Sequence, residues 1–141
     1  DLRFTTADAQ WSVLEAKWGL VPDMSGIQAL SQQVRMDVAK RLTMTGEVVS
    51  GERAVELGLA SEVHHDPVAA ATAFVEQVAT RSPDAVAATK RLFGRTWSSS
   101  DRRTFARERV EQAKLLATRN TTIAREAAMK RVAPAFDPRR R

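Results

Sequence analysis

No cysteine occurs in the 141 residues. Disulfides, thiolate metal sites and a cysteine nucleophile are therefore excluded. Histidine is nearly as scarce: His64 and His65 are the only two, and they are adjacent. Zinc sites built on histidine draw three or four ligands from helical or loop spacings. Those spacings are absent, and no metal site is expected. No uninterrupted apolar run approaches the roughly 18 residues of a membrane span. The opening Asp1-Leu2-Arg3-Phe4 lacks a basic stretch followed by an apolar one, so it does not read as a secretory signal. It also lacks an initiating Met, which suggests a chain that starts in the middle of something. The cytoplasm is the simplest expected location.

What is present is ordinary in amount and uneven in place. Hydrophobic residues make up 43% and charged residues 28%, as in a globular protein. The length suffices for one domain burying roughly two-thirds of its unfolded surface. Net charge is +5, yet residues 1–80 hold 6 basic and 11 acidic side chains, and residues 81–141 hold 16 and 6. A basic half implies an anionic partner, an acidic neighbouring chain, or a solvated helical surface.

Leu2 to Thr5 alternates like a half-buried strand, and Gln10 to Leu14 reads as a second extended piece. Gly19, Pro22 and Gly26 follow as breakers, so residues 15–26 read as an irregular loop, where chemistry is often placed. Helices dominate from Ser25. Ile27, Leu30 and Val34 recur at helical steps, Val38 and Leu42 continue on a short helix, and Thr45-Gly46 ends it. Ser50 is expected to cap a helix that Gly58 closes. Leu59 to Val63 returns to extended form. Asp66-Pro67 and Ser82-Pro83 each read as a helix start. Val68, Ala71, Val75 and Val78 share a face of the first of these helices. Phe93 and Trp97, on the second, read as core or interface. The longest helix, about 101–118, carries a narrow stripe of Ala106, Val110, Ala113 and Ala117 suited to close packing. A last helix spans about 121–131. Two opening strands and some six helices make an odd complete domain, because two strands alone do not form a stable sheet.

The ordered motifs carry more. Trp11-Ser12-Val13-Leu14-Glu15-Ala16-Lys17-Trp18-Gly19-Leu20-Val21-Pro22 is followed by Ser25-Gly26-Ile27-Gln28-Ala29-Leu30. Then come Leu42-Thr43-Met44-Thr45-Gly46 and the run from Ser50 through Gly58-Leu59 to Val63. Ala88-Thr89-Lys90-Arg91 and Lys130 to Phe136 complete the set. In order and approximate spacing it resembles the crotonase, or enoyl-CoA hydratase/isomerase, superfamily from Asp1 to Phe136.

The resemblance implies an α/β crotonase-like fold, a spiral ββα core plus a C-terminal helical trimerisation region. Only the C-terminal portion would be present, hence mostly helix with a few short strands. Residues 1–65 would close the core and carry the catalytic loop, and 66–141 would form the helical oligomerisation region. Glu15 is implied as general acid/base at the α or β carbon of an acyl-CoA thioester, with Trp11, Leu14 and Trp18 expected as its apolar walls. Desolvation by such walls favours the neutral carboxyl. Asp23 departs from the hydratase pattern and looks like the second acid of the dienoyl-CoA isomerase branch; its bland alternative is a cap on the helix starting near Ser25. Lys130 is implied to reach coenzyme A phosphates, or else is an exposed helix-end lysine. No cofactor is expected, since coenzyme A belongs to the substrate. A homotrimer or dimer of trimers is implied, with no nucleic acid and no membrane. The oxyanion donors of the family fall in segments before Asp1, so the isolated chain is expected to be inactive. The competing reading is a non-catalytic basic helical module for a polyanion or protein partner. It lacks interleaved aromatics and a helix-turn-helix signal.

Overall fold

A computed structural model describes residues 1–139. The chain forms two compact units, Asp1–Ala73 and the stretch from Phe74 onward. Among the described residues, no helix is long and apolar enough to cross a membrane.

The first unit opens with β1 (Phe4–Thr5) and β2 (Gln10–Trp11). They do not pair with each other. β1 runs parallel to β4 (Glu62–Val63), in register Phe4 with Glu62, and β2 runs antiparallel to β3 (Val49–Ser50), in register Trp11 with Val49. Each opening strand thus pairs with a later short strand: the extended run expected at Leu59 to Val63 supplies β4, and β3 is an element the sequence did not signal. Both opening strands are also shorter than their alternation suggested. Arg3 adds to the first pairing: its N–H donates to Ser61 Oγ at 3.0 Å, and its guanidinium donates to the carbonyls of Leu59 and Gly58.

Three α-helices pack around these strands: α1 (Gly26–Ser31), α2 (Met36–Thr45) and α3 (Gly51–Leu57). Their ends follow the signals in the sequence. Gly46 takes φ 59° and closes α2, Gly58 takes φ 88° and closes α3, and Ser50 accepts a hydrogen bond from the Arg53 N–H at the start of α3. The core is Leu30, Leu42, Ala54, Leu59 and Ala60, with Trp11, Val13, Val38 and Val49 packed against it. Leu42 is fully buried.

After α4 (Pro67–Ala79) the second unit builds on α5 (Pro83–Thr96), α6 (Asp101–Leu116) and α7 (Arg119–Lys130). Ser82 caps α5 by accepting from the Ala85 N–H. Asn120, 3% exposed, ties three elements together. Its amide donates to Asp84 at the start of α5 and to the Asp137 carbonyl, and its carbonyl accepts from the Asp137 N–H. Two expected faces are not buried. Val68 and Val75 on α4 are exposed, and α6 has no buried residue at all. Phe93 and Trp97 also lie open, with ring centroids 5.8 Å apart.

Candidate active site

Glu15 begins a single 3-10 turn, Glu15–Trp18, where the sequence suggested an irregular loop. Four residues are enough for such a turn because its hydrogen bonds span only three residues. The turn closes on Gly19 at φ 68°, and the N–H of Leu20 donates to the Glu15 carbonyl at 3.0 Å. Immediately upstream, the Ser12 hydroxyl hydrogen-bonds the carbonyls of Gly46 and Glu47, and Val13 packs on the core. The C-terminal end of α2 comes close on the other side. A Cβ on Gly46 would lie 3.4 Å from Lys17 Cγ and 3.6 Å from the Val13 carbonyl oxygen. The backbone of Glu15 is therefore held by β2 on one side and α2 on the other.

The side chain is half-buried, and its carboxylate makes no hydrogen bond or ion pair with any described residue. The three expected walls do not enclose it. Trp11 turns into the core and donates its indole N–H to Thr5 Oγ1 at 3.0 Å. Leu14 is 41% exposed and Trp18 77%. Leu20 and Val21, the next apolar residues along the chain, are exposed as well.

Asp23 is exposed in the turn before α1 and has no hydrogen bond or ion pair among the described residues. The capping alternative is not realised. The residue preceding α1 is Ser25, at φ 64°, and no side chain caps the helix. Lys130 is the exposed last residue of α7, whose end is closed by Arg131 at φ 55°. Glu15 and Asp23 belong to the first unit and Lys130 to the second. No cluster of His, Asp and Glu suited to a metal ion occurs among the described residues.

One feature of the first unit was missed. Ile27, Leu30, Val34, Met36, Ala39 and Met44 line an apolar groove of about 420 Å³ between α1 and α2. The hydroxyl of Thr43, also in its wall, is buried without a partner. The exposed Ile27, Met36 and Met44 were a signal, since a helix apolar on two sides is normally covered on both.

The sequence profile described as Enoyl-CoA hydratase/isomerase matches residues 1–137. The (E)-benzylidenesuccinyl-CoA hydratase of Thauera aromatica is 34% identical over 92 residues, which are 64% of this chain and 36% of that protein. The carnitinyl-CoA dehydratase of Proteus mirabilis is 28% identical over 98 residues, 68% of this chain and 38% of that protein. The crystal structure of an enoyl-CoA hydratase from Mycobacterium marinum superposes with a TM-score of 0.90 at 27% identity, over 96% of this chain and 55% of that one. A probable enoyl-CoA hydratase/isomerase from Mycobacterium abscessus gives 0.92 at 26% identity, over 99% and 58%. The chain thus spans a little over a third of those curated relatives and just over half of those solved chains. On the fold, the ordered motifs and the profile together, the chain belongs to the enoyl-CoA hydratase/isomerase family.

Proposed function

We propose that Glu15 is a general acid/base acting on the double bond of a 2-enoyl-CoA thioester, with addition of water as the favoured reaction. The observation that carries this reading is the 3-10 turn: it fixes the Glu15 backbone between β2 and α2 while leaving the carboxylate without a protein partner. A carboxyl group free of ion pairs can take a proton from an attacking water or deliver one to the α carbon. The names of the two curated relatives, a hydratase and a dehydratase of CoA thioesters, favour hydration over isomerisation. Asp23, uncapped and unpaired, is the proposed second acid should the reaction be a dienoyl isomerisation. Lys130 is the proposed partner of the coenzyme A phosphates, so coenzyme A enters with the substrate and no separate cofactor is invoked. A trimer or pair of trimers, working in the cytoplasm, completes the proposal.

Because the solved relatives extend well beyond the matched stretch, the assay joins these residues to the rest of that fold, as a longer chain or a complementing fragment. Such a protein is expected to convert a 2-enoyl-CoA into its 3-hydroxyacyl-CoA. If neither a 2-enoyl-CoA nor a dienoyl-CoA is changed, the reading fails. Asp23→Asn separates the branches: loss of dienoyl isomerisation with hydration intact assigns Asp23 to isomerisation, and intact isomerisation removes it from the site.

A further inference from the structure

Between α5 and α6 lies a groove of about 380 Å³ whose rim is cationic. Arg91 and Arg95 come from α5, and Arg103, Arg107 and Lys114 from α6. One carboxylate, Glu111, faces these five cations. It is already engaged, accepting from Arg91 at 2.8 Å and lying 3.9 Å from Lys114. Among the described residues, Arg103 and Arg107 have no ion-pair partner, and Arg95 acts on Glu111 only from beyond ion-pair distance. Leu92 and Val110 supply an apolar floor along which arginine stems can lie.

Three guanidinium groups without an ion-pair contact around one concavity repel each other, and an anion bound among them relieves that repulsion. The planar fork of arginine matches phosphate oxygens two at a time. The volume falls within the usual range of small-ligand sites, about 300–1,000 Å³. We propose that the α5–α6 groove binds a diphosphate-bearing anion through Arg95, Arg103 and Arg107, with the Arg91–Glu111 pair holding one wall. This site lies apart in sequence from Glu15 and does not rest on the catalytic reading.

The test is calorimetric titration of inorganic pyrophosphate into the 141-residue chain, at low salt and at 0.15 M salt. Binding should weaken at least about tenfold in the Arg103→Gln/Arg107→Gln double variant, the scale of losing one charge-assisted hydrogen bond. Arg125→Gln, an exposed change on α7, should leave it unchanged. Glutamine keeps good helix propensity, and circular dichroism checks the fold. If the double variant unfolds, Arg95→Gln alone carries the comparison and should also weaken binding. ADP and coenzyme A share the diphosphate, and the tighter of the two identifies a free nucleotide or a thioester carrier as the source. The proposal is overturned if the variants bind pyrophosphate like the parent, or if sulfate at equal ionic strength produces the same heat. It is equally overturned if the parent binds no pyrophosphate and the variants alter only self-association, which would make the groove a seat for the acidic half of a second copy.

Discussion

A Cβ on Gly51 would stand 1.8 Å from the carbonyl oxygen of Thr6, while one on Gly94 would meet nothing within 4 Å. The two glycines therefore predict opposite outcomes. At Gly51 the obstacle is backbone, and the N–H of the same residue donates to the Ala7 carbonyl at 3.0 Å, so α3 cannot withdraw without breaking that bond. Gly51→Ala should cost at least the usual overpacking penalty of about 1–3 kcal/mol. Gly94→Ala, inside α5, should add about 0.5–1 kcal/mol by restricting the unfolded chain. Urea denaturation of both variants checks this. Neither outcome was legible in the sequence, because the approach of Thr6 to Gly51 joins residues far apart in the fold's logic, a strand end and a helix start.

The elements show where sequence reading succeeds and where it stops. Gly46, Ser50, Gly58 and the Ser82-Pro83 pair mark helix ends through local hydrogen bonds and backbone conformation, and the structure places ends there. The 3-10 turn at Glu15 and the strand β3 have no such signal. β3 is two residues that exist only because β2 lies beside them, and the turn is held by α2 rather than by its own propensity. The buried face expected on α4 failed for another reason: periodicity reports that a side chain prefers cover, not that this chain supplies it. Between α5 and α6 a charged pair makes its own prediction. The Arg91 hydrogen bond holds the Glu111 carboxyl below its ordinary value of 4.5, against the upward pull of partial desolvation. The unfolded chain then takes up more protons as pH falls through the carboxylate range, so the stabilisation is present above that ordinary value and lost as pH drops through the folded one. Glu111→Gln should flatten the fall of stability on acidification and leave the slope near neutral pH unchanged. Urea midpoints measured between about pH 3 and pH 7 test it; an acid limb as steep as the parent's contradicts it.

For the molecule as a whole, the ordered motifs carried the family and the profile over residues 1–137 agrees, whereas which apolar side chains lie open was not legible in those motifs. Leu14 and Trp18 lie open beside Glu15, and Phe105 and Leu116 on α6 are each 58% exposed. Apolar side chains exposed along α6 in this way favour association over a free surface. The Leu116→Asp variant, a change outside the arginine-lined groove, should therefore shift the protein to smaller species in light scattering after size-exclusion chromatography. A parent chain that is already a compact monomer at micromolar concentration contradicts the proposed assembly.

The role of Glu15 is the centre of the account, and its substitution reads chemistry cleanly. The carboxylate has no partner among the described residues, so Glu15→Gln should change stability by no more than about 0.5 kcal/mol. The decisive measurement is turnover of a 2-enoyl-CoA by these residues joined to the remainder of the fold seen in the longer solved relatives, with and without that substitution. Turnover should fall at least about a hundredfold, the usual scale for removing a general acid/base, at unchanged thermal stability. Equal turnover by the folded Glu15→Gln protein would contradict it.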